Sequence, residues 1–422
     1  MTASSTRIRF IRLLLICVVF LAGVVMATKL LLGGAAGGPV ISTLNLDTSP
    51  WSATLDQRTG RLYVVNRSYA GFPGYSTSSG LSVYGYAPVP LNDTSSASVQ
   101  FQSSVSIINP GGNSVVQTVP VGDDPRQAAI DPTRGKVYVT SDDESSVSVL
   151  DERNAAQSRT VRVGLRPHAV VVSASTGRAF VVNTSDGTVS VLDTASSRVV
   201  RLVHVPTAVD SAGAAVDGVT GRVFVAGGGA VSLLDTRSGA VLKTVYLESS
   251  DQRQRSVQSS AGYDETMTQV VVDQKAGRVY ILKPGLLSVV DAGSGRLLRN
   301  IPVSADATAL ALDPLDGRLL MARTGETGGS ATAIGSGSLD VLDPQSGRTL
   351  HAFAVGVAPT AMVVDQRNGR VYVVDRGGME QRANPLGWIP DGVRQHLPFV
   401  PAGQATTRRV PGRIVVLSLG KL

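Results

Sequence analysis

The stretch Asp131-Pro-Thr-Arg-Gly135-Lys136-Val137-Tyr138-Val139-Thr140, followed by Val147-Ser-Val-Leu-Asp151 and Thr160-Val-Arg-Val-Gly164, decides the fold. Its short runs are rich in β-branched residues and separated by Asp, Gly, Ser and Pro, so each reads as a strand bounded by turns. Asp followed four residues later by Gly is a turn signal. The carboxylate bonds the turn's own backbone amides, and Gly takes the positive-φ position. Counting the run that leads into Asp131, the unit is a four-stranded antiparallel meander of about 42 residues.

The unit recurs. Its glycine appears as Gly60, Gly135, Gly177, Gly221, Gly277, Gly317 and Gly369, in steps of 75, 42, 44, 56, 40 and 52 residues. The turn aspartates are Asp56, Asp131, Asp217, Asp273, Asp313 and Asp365, with Ser173 standing in the third copy. Residues locked to a repeat in this way read as structural. Four-stranded units at a period of 40–45 residues are propeller blades. The expected fold is therefore all-β: a single seven-bladed β-propeller of four-stranded antiparallel blades over residues 39–422. The seventh unit stops one strand short. Val40–Leu46, with Pro50 after it, aligns without gaps to Val115–Val121 and Pro125. An N-terminal outer strand is thus expected to close the ring and leave no open edge between first and last blades.

Composition agrees. With 43% hydrophobic and 17% charged residues the chain is not disordered, and 45 glycines among 422 residues argue against a helical bundle. The formal charge of +7 invites a nucleic-acid reading. Residues 1–29, however, hold four of the basic residues (Arg7, Arg9, Arg12 and Lys29) and no acid, leaving only +3 on the remainder. No nucleic-acid partner is implied.

Those same residues form a membrane-directing segment. Three arginines precede the uncharged run Leu13–Ala27. The pattern fits a secretory signal peptide with Ala27 at its cleavage site, or a signal-anchor helix whose apolar core runs over residues 13–32. Either reading of residues 1–38 places the propeller outside the cytoplasm, as a single-pass membrane protein or a secreted one. Cys17, the single cysteine, lies inside this run, so no disulfide or thiolate metal site is expected in the exported part.

The pattern Gly-x-Val-Tyr-Val, Val-Ser-Val-Leu-Asp, Thr-Val-x-Val-Gly-x-x-Pro resembles the YVTN-type β-propeller repeat of bacterial and archaeal secreted or surface proteins. The resemblance covers about residues 40–420 and is closest in blades two and three. It implies a fold more than a function, because one ring hosts binders, lactonases and redox enzymes.

Function is sought where the chain departs from its own repeat. With strands named a to d outward from the axis, four insertions interrupt the period: residues 67–103, 248–262, 322–337 and 375–412. All fall on the face of the b–c and d–a connections, and blades six, seven and one are neighbours across the closure. Insertions gathered on one face mark a binding face. Tyr75, Tyr84 and Tyr86 in the first insertion and Trp388, Arg394 and Phe399 in the last are the candidate anchors. Aromatic and Arg side chains supply most interface energy, and aromatic faces also suit sugars. A protein or glycan ligand is expected, with no cofactor.

Strand a begins, blade by blade, with Trp51, Arg126, His168, Ala212, Thr268, Thr308 and Thr360, which should ring the channel mouth. That set offers one His, one Arg and no carboxylate. The alternative to a non-enzymatic binding or scaffold protein is a propeller hydrolase of the lactonase kind using His168 and Arg126. Asp123-Asp124 and Asp142-Asp143-Glu144 are expected to be solvated acidic turns rather than a metal site. Four dispersed histidines and no Cys-x-x-Cys-His exclude a copper cluster and attached haem.

Overall fold

The computed structural model describes residues 39–46, 48–67, 103–109, 111–155, 158–209, 211–247, 268–324, 337–382 and 406–421. They form seven four-stranded antiparallel sheets and one two-stranded ribbon. Blade one comprises Pro50–Leu55, Leu62–Asn66, Ser104–Asn109 and Ser114–Pro120. Blade two comprises Pro125–Asp131, Lys136–Ser141, Ser146–Asp151 and Arg159–Arg162. Blades three to six follow the same order, from Pro167–Ser173 to Thr349–Gly356. In blade seven, strands Pro359–Asp365, Arg370–Asp375 and Arg413–Ser418 are completed on the outside by Val40–Asn45, whose Leu44 faces Ile414.

The core is not central. It lies in seven apolar clusters, one between each pair of neighbouring blades. The cluster that joins blade seven to blade one packs Tyr372, Val374 and Ile414 against Leu62 and Val64. The third residue after each turn glycine supplies the large wedge in strand b: Tyr63, Tyr138, Phe180, Phe224, Tyr280, Leu320 and Tyr372, all fully buried. Blades therefore depend on their neighbours for burial, which is why the repeat needs a ring.

The a–b turns are built as the sequence implies. Asp56, Asp131, Asp217, Asp273, Asp313 and Asp365 each accept the backbone N–H two residues on, at 2.9–3.0 Å. The glycine four residues after the acid holds φ between 61° and 78°. A parallel set of aspartates, including Asp235 and Asp291, caps the c–d turns.

Two boundaries differ from expectation. Arg323 and Gly337 belong to strands b and c of blade six, so that insertion is shorter at both ends. The last insertion starts not as irregular loop but as a ribbon, Gly378–Arg382 paired with Thr406–Val410. The N-terminal segment and residues 248–262 lie outside the described residues, among which no helix is long and apolar enough to cross a membrane.

Candidate functional site

The b–c and d–a connections of blades one to three converge on a line of alternating charges. Both relevant d–a turns end in a proline, Pro125 and Pro167, which fixes where strand a begins. The residues just before them, Asp124 and Arg166, hold φ of 47° and 53°. This left-handed conformation costs a residue with a Cβ on the order of 1 kcal/mol or more. It brings their side chains to the end of strand b of blade two. There the Arg166 guanidinium grips Asp142 from two sides, Nε to Oδ1 and Nη2 to Oδ2, both at 3.1 Å. Arg126 donates to the same carboxylate at 2.9 and 3.2 Å and reaches Asp124 at 2.7 Å. Asp124 in turn accepts from Arg67 Nε at 2.7 Å. The order Arg67–Asp124–Arg126–Asp142–Arg166 thus stitches three blades together.

This corrects two expectations. Two of the five acids of the blade-two rim are not solvated: the Asp142 side chain is fully buried and Asp124 is 17% exposed, both held by guanidinium groups. Nor does the channel mouth lack carboxylates, because Asp124 and Asp142 arrive there from the connections rather than from strand a. Asp123, Asp143 and Glu144 of the group are exposed and stand outside this chain of pairs. Burial, then the neighbouring Asp124 and Asp142 charges, push the Asp143 carboxyl above the usual range.

Trp51 joins this line to blade seven. The Arg67 guanidinium lies 4.3 Å from the Trp51 ring centroid and that of Arg376 5.5 Å away. Cation–π contacts of this kind are worth about 0.5–2 kcal/mol. Arg67 opens the first insertion and Arg376 stands at the root of the last. Two insertions more than 300 residues apart in sequence therefore leave the ring over one indole. Their roots are held firmly. Asp375 accepts the N–H groups of Val357, Ala358 and Gly377, and Arg413 Nε at 2.9 Å. In blade six, Arg323 bridges Asp340 at 3.1 Å and Asp306 at 3.2 Å. Asp340 occupies the strand-c position that holds Ser106, Ser148, Ser190, Ser232 and Ser288 in other blades.

The other channel-mouth residues serve as links. The Thr360 hydroxyl donates to the Trp51 carbonyl at 2.7 Å, and that of Thr308 to the Pro359 carbonyl at 2.6 Å, each crossing to the next blade. Thr268 is buried, its N–H on the Ser211 carbonyl at 2.8 Å. His168 is buried. Burial, then the Arg126 charge, lower it to about 4, so its imidazole is neutral near pH 7. Its Nδ1 has no hydrogen-bond partner among the described residues. Behind the mouth lies a channel of about 370 Å³, with Thr54, Gln127, Val171 and Gln269 in its wall and no charged residue among those lining it. Among the described residues no group of three or more His, Cys, Asp and Glu could hold a metal ion.

Tyr75, Tyr84, Tyr86, Trp388, Arg394 and Phe399 lie outside the described residues. Arg166 and the pairing of Asp142 were missed from sequence. The usable signal was an arginine before a strand-a proline on the same rim as an acidic turn.

No family model matches the sequence, and no curated protein matches it. Among solved structures, a chain described as Kuenenia stuttgartiensis hydrazine synthase superposes with a TM-score of 0.55 at 14% identity, covering 79% of this chain and 94% of that one. At that identity the likeness concerns the propeller fold alone.

Proposed function

We propose that this chain is a non-enzymatic binding or scaffold propeller of the YVTN type, working outside the cytoplasm. Its ligand, a protein or a glycan, is recognised by the insertions of blades six, seven and one. The observation that carries the reading is the shared seat of Arg67 and Arg376 on Trp51, which sets the roots of two long insertions side by side on a rigid base. Preorganised roots lower the entropy cost of presenting long loops to a partner. Tyr75, Tyr84, Tyr86, Trp388, Arg394 and Phe399 are the proposed anchors. The basic, apolar N-terminus supports export, with the propeller tethered or released.

The test is a full-length chain with residues 70–100 and 384–404 replaced by short linkers. It is compared with the parent on glycan arrays and in partner capture. A folded ring that has lost a partner held by the parent supports the reading. A variant that unfolds, or one that keeps every partner, removes it.

A propeller hydrolase of the lactonase kind is the second reading, favoured by the carboxylate of Asp142 beside Arg126 and His168. Against it, Arg126 and Arg166 already occupy both Asp142 oxygens. A general base is most effective with its pKa near the working pH, far above 4. Lactone turnover abolished by His168→Ala would promote this reading.

A further inference from the structure

The face opposite the insertions carries its own departure from the repeat. The residue after the last aspartate of strand c is Thr194, Thr236, Ala292 and Pro344 in blades three to six. In blade two it is Glu152, with only 5% of its side chain exposed. The c–d connection that follows is also longer, with seven residues between Asp151 and Arg159 against four between Asp193 and Arg198. Glu152 reaches across to blade one. Tyr63 donates its hydroxyl to Oε1 at 2.9 Å and Arg58 Nη2 donates to Oε2 at 3.1 Å. The carboxylate lies against Gly135, where an added Cβ would come within 3.2 Å of Oε2.

Around it opens a cleft of about 810 Å³ between the a–b turns of blades one and two. Arg58, Arg61 and Arg153 line it, all exposed, with Thr59 and Thr133 beside them. Arg61 spends one N–H on the Glu152 carbonyl at 3.1 Å. Among the described residues the Arg153 guanidinium has no partner. The next junction is plainer: Tyr138 and Lys136 donate to the Thr194 carbonyl at 3.2 and 2.9 Å, and no carboxylate stands in that place. A buried acceptor on the floor with three guanidinium groups on the rim is the complement of a molecule that carries an anion at one end and hydroxyls at the other.

We infer that this cleft binds a small hydroxylated organic acid. Arg58 and Arg153 take its carboxylate, and Glu152 accepts from its hydroxyls. The site is separate from the insertion face, and the inference does not depend on that reading.

Titration calorimetry of the full-length protein with glucuronate, glucose and inorganic phosphate tests it. Glucuronate should bind, and glucose at least tenfold more weakly. Arg153→Ala, a change at an exposed side chain that leaves the fold intact, should weaken glucuronate about tenfold, and Glu152→Gln should erase its advantage over phosphate. Arg237→Ala, at an exposed c–d turn of blade four, should change nothing. The inference is overturned if glucuronate does not bind, if Arg153→Ala leaves its affinity intact, or if phosphate binds the parent as well as glucuronate does.

Discussion

Blade two carries a buried carboxylate on each face, and the two live under opposite conditions. Asp142, on the insertion face, is clamped by two guanidinium groups whose own partners continue the alternation to Asp124 and Arg67. Glu152, on the opposite face, has one phenol and one half-exposed arginine, and burial first of all pushes its carboxyl above the usual range. The first arrangement is saturated and rigid, suited to holding other parts in place. The second is under-compensated and keeps lone pairs in reserve. Burial of a charge thus marks structure on one face and a candidate ligand site on the other, and the difference lies in how many donors surround it.

The largest expected effect breaks the saturated side. Asp142→Ala removes one of the two carboxylates that hold the buried Arg126 and should cost about 3 kcal/mol, measured as a lower midpoint in denaturant. Next, Trp51→Leu keeps apolar bulk but removes the seat of Arg67 and Arg376. About 1–2 kcal/mol should be lost, with faster proteolysis of both insertions while the ring stays folded.

A pH comparison separates the two kinds of acid. A carboxyl raised in the folded state gives stability that is present at low pH and is lost as pH rises through its folded pKa. Glu152→Gln should therefore gain on the parent as pH climbs above 4.5, the ordinary value for Glu. For Asp131 burial pushes upward, but bonds from Thr133, Thr194 and Arg134 outweigh it and hold the carboxyl low. Its contribution is present above 3.8 and is lost as pH falls further, so Asp131→Asn should narrow its deficit against the parent in acid. Thermal unfolding from pH 3 to 7 reads both slopes, and parallel slopes would refute the contrast. The smallest effect is a repair. Ser173→Asp restores the turn acid that blade three lacks and should raise stability by about 0.5–1 kcal/mol, seen as a small rise in Tm.

The repeat was legible because it is local. Asp131 and Gly135 sit in one turn, so their spacing reports their geometry directly, and the same holds for strands whose alternation is set by the chain itself. Asp142 illustrates the opposite case. Its partner Arg126 lies 16 residues away across the a–b pairing of its own blade, and Arg166 lies 24 residues away on a connection that meets it only when neighbouring blades stack. Nothing in the local pattern tells a paired acid from a solvated one. Arg67 and Arg376 are harder still, since their meeting on Trp51 requires the two ends of the chain to be adjacent. Glu152 was within reach of sequence reasoning, since aligning the repeats against one another puts it beside Thr194, Thr236 and Ala292.

The outer strand of blade seven sets a schedule. Val40–Asn45 is among the first parts of the ring to be synthesised, and its partner Arg413–Ser418 is the last. At the usual 5–20 residues per second, roughly 20–70 s separate the two. Throughout that interval Val40 and Ile41, which stay near half exposed even in the finished ring, sit on a strand with no neighbour on either side. Completion of the circle thus waits for the last strand of the ring to be made. A ring without Arg413–Ser418 would be left with two unmatched edges rather than one missing strand.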